Sequence, residues 1–217
     1  MNFKPIIVLV IIVSLIMLLK DCHYGAEHQD VQPKYKNAHL TAISAQNLLK
    51  QKKPAEALTY YEAAKTEMED PAIGASKGED IYINYGFVMN DIGVIHLSWA
   101  LYGKDLETQR SCIEMSSIDR TELALATKAL QGSVAFYTRW YEHNPTDYER
   151  YSKAISESYA NLGVALKYAN KLADAEEAFR MALLFKPDNG NAERSLTMLE
   201  INPQPYIEAG KTERDKH

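Results

Sequence analysis

Residues 156–189 read SESYANLGVALKYANKLADAEEAFRMALLFKPDN, and this stretch decides the fold. Two helix-length segments, 156–169 and 172–185, are separated by a short break at Asn170-Lys171 and closed by Lys186-Pro187. Tyr159, Leu162, Leu166, Phe179 and Leu183 recur at steps of three and four residues, which gathers them into one apolar stripe per helix. Gly163 and Ala175 are small residues placed where two antiparallel helices would approach most closely. The expectation is a tightly packed helical hairpin.

The positions of Tyr159, Leu162, Gly163, Ala175, Phe179, Ala182 and Pro187 carry a resemblance. Their spacing resembles a tetratricopeptide repeat, a unit of about 34 residues with an aromatic, Leu-Gly, Ala, aromatic and Pro at fixed offsets. Leu166 stands where the family has Tyr, and Asn170 where it usually has Gly between the helices. The resemblance implies an all-α fold: a short, irregular solenoid of antiparallel helix pairs. It also implies protein binding rather than catalysis, with Gly163, Ala175, Phe179 and Pro187 serving to pack the repeat.

The 217 residues, 46% hydrophobic, suffice for one good core or a short solenoid behind an N-terminal extension. A net charge of −5 argues against nucleic acid, which would need a basic face. Cys22 and Cys112 are the only cysteines, so no disulfide framework exists, although one bridge between them stays open.

Residues 5–19 form an apolar run broken only by Ser14 and flanked by Lys4 and Lys20. As a helix it spans about 22 Å, short of the ~30 Å hydrocarbon core. Lysines at both ends can reach the headgroups and make up part of the deficit. Residues 1–20 are therefore read as a membrane anchor. A cleaved signal segment and a lipid-anchored form using Cys22 are the alternatives, but small residues for cleavage and a full lipidation motif are both lacking. The lysine balance favours a single-pass topology with the C-terminal domain on the non-cytoplasmic side. Residues 21–36, with Pro33, read as a linker.

The helical domain is expected over 37–200. A first hairpin (38–71) matches the repeat at Leu48, Ala57, Tyr61 and Ala64, with Pro54 opening its second helix, but Thr41, Ser44 and Ala45 replace the aromatic, Leu and Gly. A loop follows over 71–78, then a long helix over 79–102, a short helix around 106–115, and a strong helix over 120–143 capped by Asp119 or Ser117. With Ile92-Gly93 as the Leu-Gly site, Ser133 as the small residue and Tyr137 as the aromatic, 80–145 reads as a repeat opened by an insertion of roughly 28 residues. The helix over 147–169 outruns a standard repeat, as does 120–143, and the two extensions can pack on each other. A capping helix over 191–199 covers the last face, and 201–217 reads as a disordered tail.

Catalytic motifs are absent: there is no Gly-rich phosphate loop, HExxH or CxxC. Cys22, His23 and His28 lie together and invite a metal, but a polar linker is the better reading, so neither metal nor other cofactor is expected. His96, on an apolar helix, reads as a hydrogen-bonded core or groove residue.

The resemblance places a concave groove along the first helix of each pair. Its groove positions fall on Glu157, Ala160, Val164, Lys167 and Tyr168; on His39, Ala42, Gln46, Leu49 and Lys50; and on Phe87, Asn90, Val94, Leu97 and Ser98. The Lys and Asn with which some members clamp a carboxylate are missing at Ala42/Gln46 and Ala160/Val164. The implied partner is a protein helix or extended segment, bound by a membrane-tethered, non-catalytic docking module. The alternatives are a constitutive accessory subunit of an integral-membrane complex and, less favoured, a metal-dependent enzyme.

Overall fold

The computed structural model describes residues 31–70, 79–105, 113–143 and 148–201. These residues are all helical or connecting turns, with no strand among them. The helices are α1 (Val31–Lys50), α2 (Pro54–Met68), α3 (Glu79–Tyr102), α4 (Arg120–His143), α5 (Tyr148–Tyr168), α6 (Leu172–Phe185) and α7 (Gly190–Ile201). They pack in order as three antiparallel pairs, α1/α2, α3/α4 and α5/α6, with α7 against α6. The first helix of each pair also touches the first helix of the next, and α5 touches α7.

Two of the hairpins turn in the same way. Lys52 has φ 60° and Asn170 φ 58°, both left-handed. At each turn that residue's N–H bonds the carbonyl three positions back, and the next N–H bonds five back: Lys52 to Leu49 and Lys53 to Leu48, Asn170 to Lys167 and Lys171 to Leu166. This is the double closure that glycine usually makes after a helix. Asn tolerates the left-handed region, whereas Lys is strained in it. The offset that relates Lys52 to Asn170 also relates Ala57 to Ala175, Tyr61 to Phe179 and Ala64 to Ala182, all of them buried. Ala45, completely buried, occupies the place that Gly163 has in the other hairpin.

Close approach explains the small residues. A Cβ added to Gly163 would lie 2.6 Å from the Phe179 ring, and one on Gly93 would lie 2.5 Å from Leu130 Cγ. A third, on Gly86, would meet the Tyr137 ring at 2.8 Å. The middle pair therefore differs from its sequence reading. Tyr137 covers Gly86 rather than Gly93, and Leu130 takes the place over Gly93, because α3 and α4 run alongside each other for their whole 24-residue lengths.

Three apolar clusters form the core. The largest joins α3–α7 around Leu130, Leu162 and Phe179; a second joins α1–α4 around Tyr61, Val88 and Ile92. The third, around Tyr137, Trp140 and Ile155, is where the extensions of α4 and α5 pack, with Trp140 edge-on to Tyr151 at 5.0 Å.

Four boundaries depart from expectation or complete it. The linker read over 21–36 is helical from Val31, because Pro33 falls in the first turn, where a missing N–H is harmless. In place of a short helix reaching Met115, Ile113 and Glu114 are non-helical and a single 3₁₀ turn covers Met115–Ser117. Asp119 caps α4, its Oδ1 accepting the N–H groups of Thr121 and Glu122. Asn189 likewise caps α7, accepting from Asn191 and Ala192. Residues 1–30, 71–78, 106–112, 144–147 and 202–217 lie outside the described residues, and with them the expected anchor, the loop expected over 71–78, most of the short helix expected around 106–115 and the expected tail.

Gly163→Leu should cost about 1–3 kcal/mol through overpacking against Phe179, read as a lower urea midpoint. Lys52→Gly should raise stability by about 0.5–1 kcal/mol by relieving the left-handed strain. A Lys52→Gly variant less stable than the parent would show that the turn carries no strain.

Candidate partner-binding cleft

A cleft of about 430 Å³ opens between α5 and α7. Glu157, Ala160, Asn161 and Val164 line it from α5; Asn189, Asn191, Arg194 and Ser195 line it from the start of α7. The local sequence builds it in two steps. Small and medium side chains on α5 leave room, and the Asn189 cap fixes where α7 begins. Asn189 Nδ2 donates to Ser156 Oγ at 2.8 Å, and Ser156 Oγ donates to the Ala182 carbonyl at 2.7 Å, so α7, α5 and α6 are locked at one point.

The lining is mixed, with an acid, a cation, three carboxamides, a hydroxyl and two small apolar side chains. Arg194 is partly committed, its Nε donating to the Gly190 carbonyl and its Nη2 to Asn191 Oδ1 at 2.8 Å. Asn161 Nδ2 donates to Asn90 Oδ1, which lies behind the cleft wall on α3. The Asn189 carboxamide is engaged at both ends, its Oδ1 by the Asn191 and Ala192 N–H groups and its Nδ2 by Ser156.

The residues singled out from the sequence separate into three groups. Glu157 and Val164, with Ala160, line the cleft. Gln46 and Val94 are exposed elsewhere, while His39, Leu49 and Tyr168 are half-buried: His39 stacks at 6.4 Å on Tyr35, and Leu49 packs on the α1–α4 cluster. The Tyr168 carbonyl accepts from Arg120 at 2.7 Å. Leu97, Asn90 and Lys167 have structural surroundings instead. Leu97 is buried in the main core. Burial lowers the pKa of the Lys167 ammonium, which lies 4.9 Å from the Tyr168 ring centre.

Asn90 is a junction. Its Oδ1 accepts from Ser158 Oγ at 3.0 Å and from Asn161 at 3.1 Å, while its Nδ2 donates to Asp91 at 3.3 Å. Asp91 in turn accepts the Tyr61 hydroxyl at 2.6 Å. On the other side, Ser133 Oγ lies 2.8 Å from the Gly86 carbonyl and 3.2 Å from Ser158 Oγ. A polar seam thus runs from α2 through α3 and α5 to α4. Burial pushes the Asp91 carboxyl up, and the Tyr61 and Asn90 hydrogen bonds only partly counter it.

A second polar cluster lies at the far end of α3. Glu122, almost fully buried, contacts His96 Nδ1 at 2.6 Å and Lys104 Nζ at 2.6 Å, and Lys104 also lies over Trp99. Burial pushes the Glu122 carboxyl up, but hydrogen bonds from Lys104 and His96 outweigh it and hold the group below its usual range. His96 is thus the hydrogen-bonded residue expected. Among the described residues no group of three or more His, Cys, Asp or Glu could hold a metal. Cys22, His23, His28 and Cys112 lie outside them.

Sequence reading missed Asn161, Asn189, Asn191, Arg194 and Ser195. Asn161 sits one turn beyond Glu157 and is discoverable from that spacing, whereas the α7 residues lie beyond any repeat pattern. No family model matches this chain, and no curated protein or solved structure matches it. No described helix is long and apolar enough to cross a membrane, and residues 5–19 lie outside those described.

Asp91→Asn keeps an acceptor for Tyr61, gives up the one facing Asn90 Nδ2, and removes the half-buried charge. Because the folded chain holds the Asp91 proton more tightly, the stability this contributes is full below the unfolded value of about 3.9 and is lost as pH rises through the higher folded value. The stability of the variant relative to the parent should therefore be greater at pH 7 than at pH 3. Urea titrations across that range check this, and an advantage that grew toward acid would contradict it.

Proposed function

We propose that this chain is a tetratricopeptide-like, membrane-tethered docking module that binds a protein segment in the α5/α7 cleft and acts without catalysis. The observation that carries the reading is the coincidence of Glu157, Ala160 and Val164, groove positions by resemblance, with the lining of that cleft. Three features support the fold: the ordered pairing of helices, the recurrence of the Lys52 turn at Asn170, and the alternation of ring and small residue at Gly163 and Gly86. The apolar run at 5–19 supports the tether.

The accessory-subunit reading rests on a different observation. Tyr60, Leu125 and Leu184, on the second helices of the three pairs, are all exposed, Leu184 at 70%. Such residues offer an outer face to a permanent neighbour.

The two readings separate in one experiment. The tagged full chain is solubilised in mild detergent and its co-purifying proteins are identified, alongside Val164→Glu and Leu184→Glu. The cleft reading expects loss of the partner, by tenfold or more, with Val164→Glu only. Retention by Val164→Glu with loss through Leu184→Glu, or through deletion of residues 1–20, would favour the accessory subunit and defeat the cleft.

A further inference from the structure

The helix α1 has an unusual outward face. Ala38, Ala42, Ala45 and Leu49 turn toward α2 and α3. Directly opposite, Lys36, Leu40, Ile43, Asn47 and Lys50 follow one another at four- and three-residue steps and all are exposed, Leu40 by 51% and Ile43 by 39%. From Lys36 to Lys50 the stripe runs about 21 Å.

Charge sets this region apart from the rest of the molecule. Residues 31–53 contain lysines 34, 36, 50, 52 and 53 and no Asp or Glu, in a chain of net charge −5. Lys53 pairs with Glu56 at 3.1 Å, but Lys36, Lys50 and Lys52 have no acidic partner among the described residues. A single exposed Leu is ordinary. Two aliphatics set between unpaired lysines along one straight face of a helix are the pattern of a helix lying in a lipid interface. The apolar run at 5–19 brings that face to a membrane, since only eleven residues separate it from Val31.

We propose that this face of α1 lies on an anionic phospholipid surface, with Leu40 and Ile43 entering the headgroup layer and Lys36, Lys50 and Lys52 binding phosphates. The inference draws on the tether for proximity, while the charge dependence is its own. Each unpaired lysine near an anionic leaflet strengthens surface attachment by about fivefold, and salt weakens it. The α5/α7 cleft, at the other end of the row of helices, is left open to a partner.

The test uses the full chain carrying Cys22→Ser and Cys112→Ser, with an environment-sensitive fluorophore on Asn47→Cys or, as a control on α6, on Glu177→Cys. Each chain is reconstituted into vesicles of phosphatidylcholine alone or mixed with phosphatidylglycerol, both containing a headgroup-linked quencher. Quenching of the α1 label should be at least threefold stronger with phosphatidylglycerol, fall in high salt, and be absent for the α6 label. The exposed triple variant Lys36→Gln, Lys50→Gln, Lys52→Gln should return to the phosphatidylcholine level with its helicity retained. Quenching indifferent to lipid charge, or a label shielded by energy transfer to a second copy, would overturn the proposal. Flotation with phosphatidylcholine vesicles reads the tether separately: a chain that floats without charge-dependent quenching refutes only the α1 contact. A chain quenched by anionic vesicles that fails to float with neutral ones refutes only the tether.

Discussion

The architecture depends on a steric condition: two helices of a pair come close only where a large side chain lies over a residue that has almost none. Phe179 over Gly163, Leu130 over Gly93 and Tyr137 over Gly86 are three instances of it, and Ala45 beside α2 is a milder one. Each buried ring or aliphatic contributes about 1.5–3 kcal/mol by leaving water, but only if the opposing backbone is bare. The condition also sets register, because in the middle pair the two glycines of α3 must meet their partners simultaneously. Sliding one helix by a turn would drive both side chains into backbone.

Around this apolar packing lies a sparse set of hydrogen-bonded joints. Asn189 and Ser156 fix α7, Asp119 and Arg120 fix the start of α4 and its contact with the end of α5, and Asn90 ties α3 to α5. Buried polar groups are expensive unless they are paired, and Ser156, the buried member of these joints, is paired. The buried Tyr137 hydroxyl is the exception. It lies beside the Ser133 and Ser158 hydroxyls without a well-formed hydrogen bond to any described residue.

How much of this is legible in the sequence depends on where periodicity meets convention. The ranges of α3 and α4 are readable because long apolar runs end at plain signals, Gly103 with φ 99° and the Asp119 cap. The start of α1 is not, since Pro33 looks like a breaker and is harmless in a first turn. The middle register misleads because Gly86 and Gly93 lie two turns apart and either could face an aromatic. Leu97 belongs to a groove only by analogy with a regular repeat; an α4 of full length covers it instead. The cleft is half legible: its α5 wall follows helical spacing, while its α7 wall depends on where a single Asn cap starts a helix.

The polar seam has a further consequence for how the molecule comes apart. A row of stacked helical pairs ordinarily frays from its ends, each unit leaving with little regard for the others. Here Tyr61 of the first pair reaches Asp91 of the second, whose neighbour Asn90 holds Ser158 and Asn161 of the third. Peeling away either outer pair therefore breaks hydrogen bonds to the half-buried Asp91 or Asn90 of the middle one, besides losing apolar contact. That penalty binds the fates of the three pairs together, so a short and irregular array can melt as one cooperative body.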